Sequence, residues 1–295
     1  MPGNEELTTA AALESKVLPE RLPLEYEPAS WGGRFFGAGG LALPNFRRAI
    51  FYGLLLVLWL VLFNLRLWPE YLFPSPEMVL RSLAAGFSDQ SFLIGMAVSM
   101  KRLAIGYGVS LSIGITTGLW LGNIKLLDQT LGSLVLGLQN LPSIAWLPLS
   151  LLWFGLNEKA IIFVVIMGSL FSITIATEVG VKNIPPIYRK AARTMGARGY
   201  RYYLEVMIPA SLPEIITGMK QAWSFAWRSL MGAELLFVSL GLGQLLMVGR
   251  ELNDMSRVIA VMVVVIGIGI TMDTAVFAWL ERRVRERWGL ASRMG

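Results

Sequence analysis

The 295-residue sequence contains no cysteine and no histidine, and only 16% of its residues are charged. These absences exclude disulfides, thiolate chemistry and the usual zinc ligands. They also remove histidine, the side chain that most often transfers protons in catalysis. The sequence contains no GxxxxGK[ST] phosphate-binding loop, so we expect no nucleotide hydrolysis by this chain. The prediction is a protein that is not an enzyme, with no catalytic residues, no metal site and no cofactor of its own.

Hydrophobic residues make up 55% of the chain, more than a soluble domain of this length would carry. Several uncharged runs reach the length of about 20 residues that a helix needs to cross a bilayer. The 30 glycines suit close helix packing in lipid. We therefore predict an all-α, multi-pass membrane protein with six transmembrane helices. The predicted spans are 49–67, 92–121, 128–154, 159–178, 212–236 and 256–280.

The positions of the basic residues predict the topology. Arg47 and Arg48 precede the first span, segment 179–211 carries six basic residues against one acid, and the tail 281–295 carries five arginines. Because basic loops stay in the cytoplasm, this pattern predicts cytoplasmic N- and C-termini. It also explains the net charge of +6 without nucleic-acid binding.

The chain divides into four predicted parts. The mixed charge, prolines and glycines of the first 45 residues indicate a mobile tail, with partner recruitment as the alternative. The parts are a cytoplasmic tail 1–48, a first span and interfacial segment 49–90, a core 91–281 with the cytoplasmic loop 179–211, and a basic cytoplasmic tail 282–295.

The loop 179–211 has the pattern of two amphipathic helices joined at Gly196. Apolar residues recur at helical spacing on both sides of this glycine, and the surrounding residues are basic. Such a surface suits docking onto a partner protein. The apolar positions are Ile187, Ala191, Met195, Tyr200, Tyr203, Leu204 and Met207. Downstream, Ser211 and Glu214 have the spacing of a capping box, which predicts that the next span begins there.

The same loop resembles the EAA motif of ABC importer permeases. Lys190-Ala191-Ala192, then Gly196 and Ile208-Pro209, stand at the expected distances, although the family often has glutamate where this chain has Lys190. The resemblance implies that the loop couples the permease to an ATPase. The implied coupling residues are Lys190, Ala191, Ala192, Gly196, Ala197, Arg198 and Pro209.

The resemblance extends over about residues 70–290. Within this range, several motifs are similar to those of the nitrate, sulfonate/taurine and bicarbonate branch of these permeases. The motifs that carry it are Pro74-Ser75-Pro76, Leu141-Pro142-Ser143, Trp153-Phe154-Gly155, Ala233-Glu234-Leu235 and Gly241-Leu242-Gly243. It implies a type I importer fold in the bacterial inner membrane, transporting a small anion. It also implies a second permease copy as a homodimer, two ABC ATPases that carry ATP and Mg, and a periplasmic solute-binding protein.

Charged residues inside spans are costly and mark sites that face a cavity or a partner. Arg228, near the middle of the fifth span, either pairs with an acid to fix packing or offers its guanidinium to a passing oxyanion. Glu234 lies about 240° away on the same helix, which makes it a poor partner for Arg228. We expect Lys101 and Arg102 to extend toward the membrane surface or to bind a phospholipid headgroup there, and Asp273 to pair with a neighbouring helix.

Neutral pathway residues are expected around Pro142, because a proline frees a backbone carbonyl that only protein or water can satisfy in a membrane. The complete set of predicted pathway residues is Arg228, Glu234, Gln139, Asn140 and Ser143.

Two other functions compete with the importer. A secondary transporter driven by an ion gradient would show an internal repeat, and none is evident between 49–154 and 159–280. An intramembrane enzyme would cluster catalytic groups, whereas the acids within the spans are scattered.

Overall fold

The computed structural model describes residues 43–237 and 239–287, and within these ranges all regular structure is helical. The predicted tails lie outside the described residues except for their inner ends, 43–48 and 282–287. The helices are α1 (Leu43–Asn64), α2 (Pro76–Ser88), α3 (Ser91–Asn123), α4 (Lys125–Gln139), α5 (Ser143–Phe154), α6 (Glu158–Lys182), α7 (Pro186–Thr194), α8 (Ile208–Leu236), α9 (Leu242–Glu251), α10 (Met255–Thr271) and α11 (Ala278–Arg287). A π-helical turn, Met272–Phe277, joins α10 to α11.

Several helices begin at side-chain caps. The Ser75 hydroxyl accepts from the Met78 N–H at 3.2 Å, and Pro76 fills the first position of α2, where no N–H is required. Asn157 accepts from the Lys159 N–H at 2.7 Å and starts α6. These caps satisfy backbone donors that the first turn of a helix leaves free.

Helix α6 packs along most of its length against both α3 and α8, and α3 and α8 meet over a shorter stretch. Glycines on one face of α3 allow this approach. A Cβ at Gly106 would lie 2.7 Å from a Val165 methyl, and one at Gly118 would lie 2.5 Å from the Thr174 carbonyl. These distances confirm that glycines serve close helix packing here.

The predicted third span is a broken helix. Helices α4 and α5 meet at an angle of 101°, separated by residues 140–142. Pro142 has no N–H to continue the hydrogen-bond ladder of α4, which accounts for the break at this position.

Within residues 43–237 and 239–287, four helical segments are long and apolar enough to cross a membrane, or five if α4 and α5 form one bent span. The four are Phe46–Asn64, Ser91–Asn123, Glu158–Lys182 and Met255–Val284. The predicted fifth span corresponds to α8, which has 29 residues but is more polar than these four. The six-span count and the cytoplasmic termini therefore remain predictions.

Helix α8 does not begin at Ser211, so the predicted capping box is wrong. The helix begins at Ile208 with Pro209 in its first turn, and the Ser211 hydroxyl donates to the Met207 carbonyl at 2.8 Å. Helical turns at Tyr200–Tyr202 and Tyr203–Met207 lead directly into α8. The second predicted loop helix is thus an extension of α8.

Candidate functional site

One face of α8 carries a stripe of exposed polar side chains. The members are separated by three, four, three and four residues, which places them along a single line on a helix. They are Glu214, Thr217, Gln221, Ser224 and Arg228, which we call the polar stripe. The opposite face is buried against α3 and α6. Because acyl chains cannot satisfy polar groups, a stripe at membrane depth faces water or protein.

Arg228 is held in place by its own helix. Its Nε donates to the Ser224 carbonyl at 3.0 Å, and its guanidinium carbon lies 4.9 Å from the centre of the Phe225 ring. Within residues 43–237 and 239–287 no carboxylate forms an ion pair with Arg228, and Glu234 pairs elsewhere as expected. The guanidinium therefore keeps its terminal nitrogens available at an exposed position.

The break between α4 and α5 packs against α8 immediately after Arg228. A Cβ at Gly168 of α6 would lie 3.2 Å from the Ser143 Cβ and 2.0 Å from the Ser229 hydroxyl, so these residues meet at one point. A Cβ at Gly232 would lie 3.0 Å from an Ile144 methyl. The structure thus brings Ser143 to the part of α8 that carries Arg228.

The other two predicted residues of the break lie at the end of α4. Gln139 is half-buried in the last turn, and Asn140 is exposed, with its side-chain amide donating to the Leu136 carbonyl at 3.1 Å. Ser143 is half-buried.

Glu234 lies elsewhere, in a buried polar cluster at the end of α8. Its carboxylate accepts from the Ser99 hydroxyl at 2.7 and 2.9 Å, from the Arg102 guanidinium at 2.9 Å and from the Gly243 N–H at 3.1 Å. The Glu234 side chain is 0% exposed and that of Arg102 is 3% exposed. Glu234 therefore has no surface in the polar stripe.

Arg102 links this cluster to two further elements. It donates to the Leu240 carbonyl at 2.7 Å and to a Glu158 carboxylate oxygen at 3.2 Å. The Ser99 hydroxyl in turn accepts from the Leu242 N–H at 2.9 Å. We call Ser99, Arg102, Glu158, Glu234 and the turn 240–243 the clasp, because it joins α3, α6, α8 and the segment before α9.

The expectation that Arg102 extends toward the membrane surface is wrong, because the Glu234 carboxylate offers a buried partner. Lys101 is exposed, with its ammonium 3.8 Å from Glu158. The involvement of Ser99, Arg102 and Glu158 was missed from the sequence. The spacing of Ser99 and Arg102, three residues apart on one face of α3, was a signal that could have indicated them.

Two glycines let the turn approach the Glu234 side chain. A Cβ at Gly241 would lie 2.6 Å from the Glu234 carboxylate, and one at Gly243 would lie 2.4 Å from the Glu234 Cβ and 2.8 Å from its backbone carbonyl carbon. No L side chain fits at these distances, so the motif Gly241-Leu242-Gly243 is required for the clasp to close.

The remaining charge on α8 is also paired. The Lys220 ammonium lies 2.9 Å from the Asp273 carboxylate and 4.0 Å from that of Glu281. This confirms the expectation that Asp273 pairs with a neighbouring helix.

At the other end of α8, the predicted coupling loop is attached to the helices. The Arg189 guanidinium donates to the Val181 carbonyl in the last turn of α6 at 2.7 Å, and Ala192 is only 4% exposed. Met207 is fully buried beside Leu119 and Val181. One face of the loop therefore packs on its own chain.

Gly196 ends α7 in a left-handed conformation, with φ of +80°. The Ala197 N–H donates back to the Ala192 carbonyl at 2.9 Å, which closes the end of the helix. Of the other predicted coupling residues, Lys190, Ala191 and Arg198 are exposed, Ala197 is half-buried, and Pro209 lies in the first turn of α8.

Comparison with known proteins identifies the family. Residues 110–286 match the family described as the binding-protein-dependent transport system inner membrane component. The chain is 33% identical to the nitrate import permease protein NrtB of Leptolyngbya laminosa, over 64% of this chain and 68% of that protein. It is 30% identical to the bicarbonate transport system permease protein CmpB of Synechococcus elongatus, over 68% and 72%.

A further relative is the taurine transport system permease protein TauC of Escherichia coli, with 27% identity over 78% of this chain and 85% of that protein. Among solved structures, a chain of an amino acid ABC transporter is 18% identical, with a TM-score of 0.53 and coverage of 68% of this chain and 97% of that one. At this identity the likeness shows a shared fold alone. The relatives are transport permeases rather than enzymes, and the chain belongs to the family of binding-protein-dependent transport system inner membrane components.

Proposed function

We propose that the chain forms the membrane pathway of an ATP-driven importer for a small anion of the nitrate, bicarbonate or sulfonate class. The relatives named for nitrate, bicarbonate and taurine support this range of solutes. In this proposal a solute-binding protein delivers the anion to the outer face of the bacterial inner membrane, as the family description suggests.

The observation that carries the proposal is the polar stripe of α8. It is exposed along about four helical turns of the helix that corresponds to the predicted fifth span. Polar side chains of a membrane-spanning helix require water or protein beside them rather than lipid. Arg228 offers the only positive charge of the stripe and has no carboxylate partner among the described residues. A guanidinium in this state can donate two parallel hydrogen bonds to a pair of oxygens of nitrate, bicarbonate or a sulfonate.

The break between α4 and α5 adds neutral groups to the same pathway. Ser143 lies near Ser229, the residue that follows Arg228 in α8, and Gln139 and Asn140 end the helix that precedes Ser143. Hydroxyl and amide groups bind an anion while it passes, without holding it as tightly as a second cation would. We therefore propose Arg228, Ser143, Gln139 and Asn140 as pathway residues, without Glu234.

A second copy of the chain is part of the proposal. A single polar stripe leaves one side of the pathway open to lipid, and a second α8 facing it across a twofold axis would enclose water between the two. Two ATPase subunits, which carry ATP and Mg, would bind the coupling loop and supply the energy. The chain itself would bind neither.

Uptake into proteoliposomes tests this function. The chain is reconstituted with the ATPase that co-purifies with it and with a solute-binding protein, and uptake of labelled nitrate, bicarbonate and taurine is measured with and without ATP. We expect ATP-dependent uptake of one of these solutes. Uptake driven by an ion gradient without ATP would instead support a secondary transporter.

Arg228→Ala should lower that uptake by about 10- to 100-fold, the equivalent of one lost hydrogen bond to a charged group, of about 1.5–3 kcal/mol. Arg228→Lys should recover part of the flux, since the charge remains without the planar geometry. Arg250→Ala, at an exposed arginine of α9, serves as the matched control. Unchanged uptake in a well-assembled Arg228→Ala variant would exclude Arg228 from the pathway.

A further inference from the structure

The coupling loop leaves large apolar side chains in solvent. Ile187 is 70% exposed, Met195 is 86% exposed and Tyr200 is 70% exposed. They alternate with exposed basic side chains. The resulting surface, which we call the coupling surface, comprises Ile187, Lys190, Met195, Arg198, Tyr200 and Arg201. Apolar side chains rimmed by charge are typical of a protein-binding site.

The charge of this surface is of one sign. No Asp or Glu occurs between Glu178 and Glu205. Among the described residues, no ion pair neutralises Lys190, Arg198 or Arg201. The surface therefore presents three uncompensated positive charges beside its apolar side chains.

The orientation of α7 places Lys190 within this surface. Arg189 and Ala192 mark the side of α7 that faces the protein, since Arg189 caps α6 and Ala192 is buried. Ile187 and Lys190, three residues apart, lie together on the opposite, outward side. A partner that covers Ile187 must therefore also meet the Lys190 ammonium.

We propose that the ATPase subunit which receives this loop has a groove with an apolar floor and an acidic rim, and that Lys190, Arg198 and Arg201 pair with those acids. The proposal rests on the proposed function and specifies the partner of the same loop. The charges steer the ATPase and set its orientation, and the apolar side chains fill the floor of the groove.

An anionic lipid surface is the alternative partner for a basic, amphipathic segment. A helix that lies on a membrane presents one continuous apolar face. Here the apolar side chains are divided between the nine-residue helix α7, the turn at Gly196 and Gly199, and the extension of α8. This compact, angled shape fits a protein groove rather than a flat bilayer.

Binding of the co-purifying ATPase to the full-length chain in lipid nanodiscs tests the proposal. The triple variant Lys190→Glu, Arg198→Glu and Arg201→Glu should weaken binding about tenfold or more at low salt, because it places three like charges against the acidic rim. Raising the salt concentration should weaken binding of the wild-type chain more steeply than that of the triple variant. The matched control is Lys125→Glu, at an exposed lysine outside the loop, which should leave binding unchanged.

A second variant changes binding in the opposite direction. Glu205→Lys removes the exposed acid at the end of the segment, and it should tighten ATPase binding by about threefold. A gain of affinity cannot result from misfolding, so this variant separates the proposal from a general defect.

Two results would overturn the acidic groove while leaving the proposed function intact. One is ATPase binding that equals that of the wild-type chain in both the triple variant and Glu205→Lys. The other is an effect of the triple variant confined to discs containing phosphatidylglycerol and absent in phosphatidylcholine, which would assign the surface to lipid. Failure of the wild-type chain to retain any ATPase would contradict the proposed function itself.

Discussion

Two charged residues six positions apart on α8 have opposite environments. Glu234 is fully buried, and hydroxyl, guanidinium and backbone donors satisfy its carboxylate. Arg228 is exposed and is held by a carbonyl of its own helix and the face of a phenyl ring. The two side chains project about 240° apart around the helix axis, so one enters the interior and the other enters the polar stripe.

The difference lies in what the surroundings supply. The clasp provides a partner for nearly every polar atom of Glu234, and this makes the burial of its charge tolerable. The polar stripe provides few hydrogen-bond partners for Arg228 from outside its own helix. A satisfied charge holds elements together, whereas an unsatisfied one at an exposed position is available to a ligand. The comparison predicts that stability depends on the clasp and transport on the stripe.

The largest effect should follow from removal of one side of the buried pair. Arg102→Leu leaves the Glu234 carboxylate buried without its cation and should cost about 3–5 kcal/mol of unfolding free energy. The double variant Arg102→Met, Glu234→Leu removes both charges and should recover most of this loss. Denaturant titration of the purified protein, followed by tryptophan fluorescence, measures both.

The matched control for the clasp is the exposed ion pair between Arg81 and Glu77, one turn apart on α2. Arg81→Leu should change the unfolding free energy by no more than about 0.5 kcal/mol, because exposed pairs of this kind contribute little. If Arg102→Leu were as mild as Arg81→Leu, the clasp would not stabilise the fold, and the comparison between the two regions would fail.

The next effect concerns the closure of the turn on Glu234. Gly243→Ala places a methyl group 2.4 Å from the Glu234 Cβ and 2.8 Å from backbone, so the turn must move, at a cost of about 1–3 kcal/mol. Gly267→Ala in α10 is the control, since no atom lies within 4 Å of its added Cβ. The same titration should separate the two alanines; equal stability would show that the turn is not tightly held.

Hydropathy was sufficient to predict the helices that correspond to five of the six predicted spans, because long apolar runs are a local property of the sequence. Four correspond to helices that could cross a membrane, and 128–154 corresponds to the bent pair α4 and α5. The helix for the fifth span was also predicted, but α8 is polar along one face and cannot be identified as a span by composition. In the proposed function α8 faces a second copy of the chain, and the sequence of one chain does not display that surface.

The clasp could not be predicted in the same way, because Ser99 and Glu234 are 135 positions apart in the sequence. Arg102 considered alone has several energetically acceptable positions, including the membrane surface. Only the packing of α3 against the end of α8 makes the buried position available. The attachment of α7 by Arg189 is equally non-obvious, since a basic loop residue usually remains in solvent.

The smallest effect on stability should come from Arg228, and it completes the comparison. Arg228→Ala should change the unfolding free energy by about 0.5 kcal/mol or less, as is usual for an exposed substitution without a carboxylate partner. Lys220, which is 28% exposed and paired with Asp273, is an intermediate case, and Lys220→Met should cost about 1 kcal/mol of unfolding free energy.

The decisive result is the effect of Arg228→Ala on transport, which should be large although its effect on stability is small. Arg228→Ala should lose most of the uptake while remaining as stable as the wild-type protein, because the contacts of its guanidinium with Ser224 and Phe225 lie within its own helix and it forms no ion pair among the described residues. If Arg228→Ala instead destabilised the protein as strongly as Arg102→Leu, then Arg228 would be a packing residue, and the polar stripe would have to transport the anion without it.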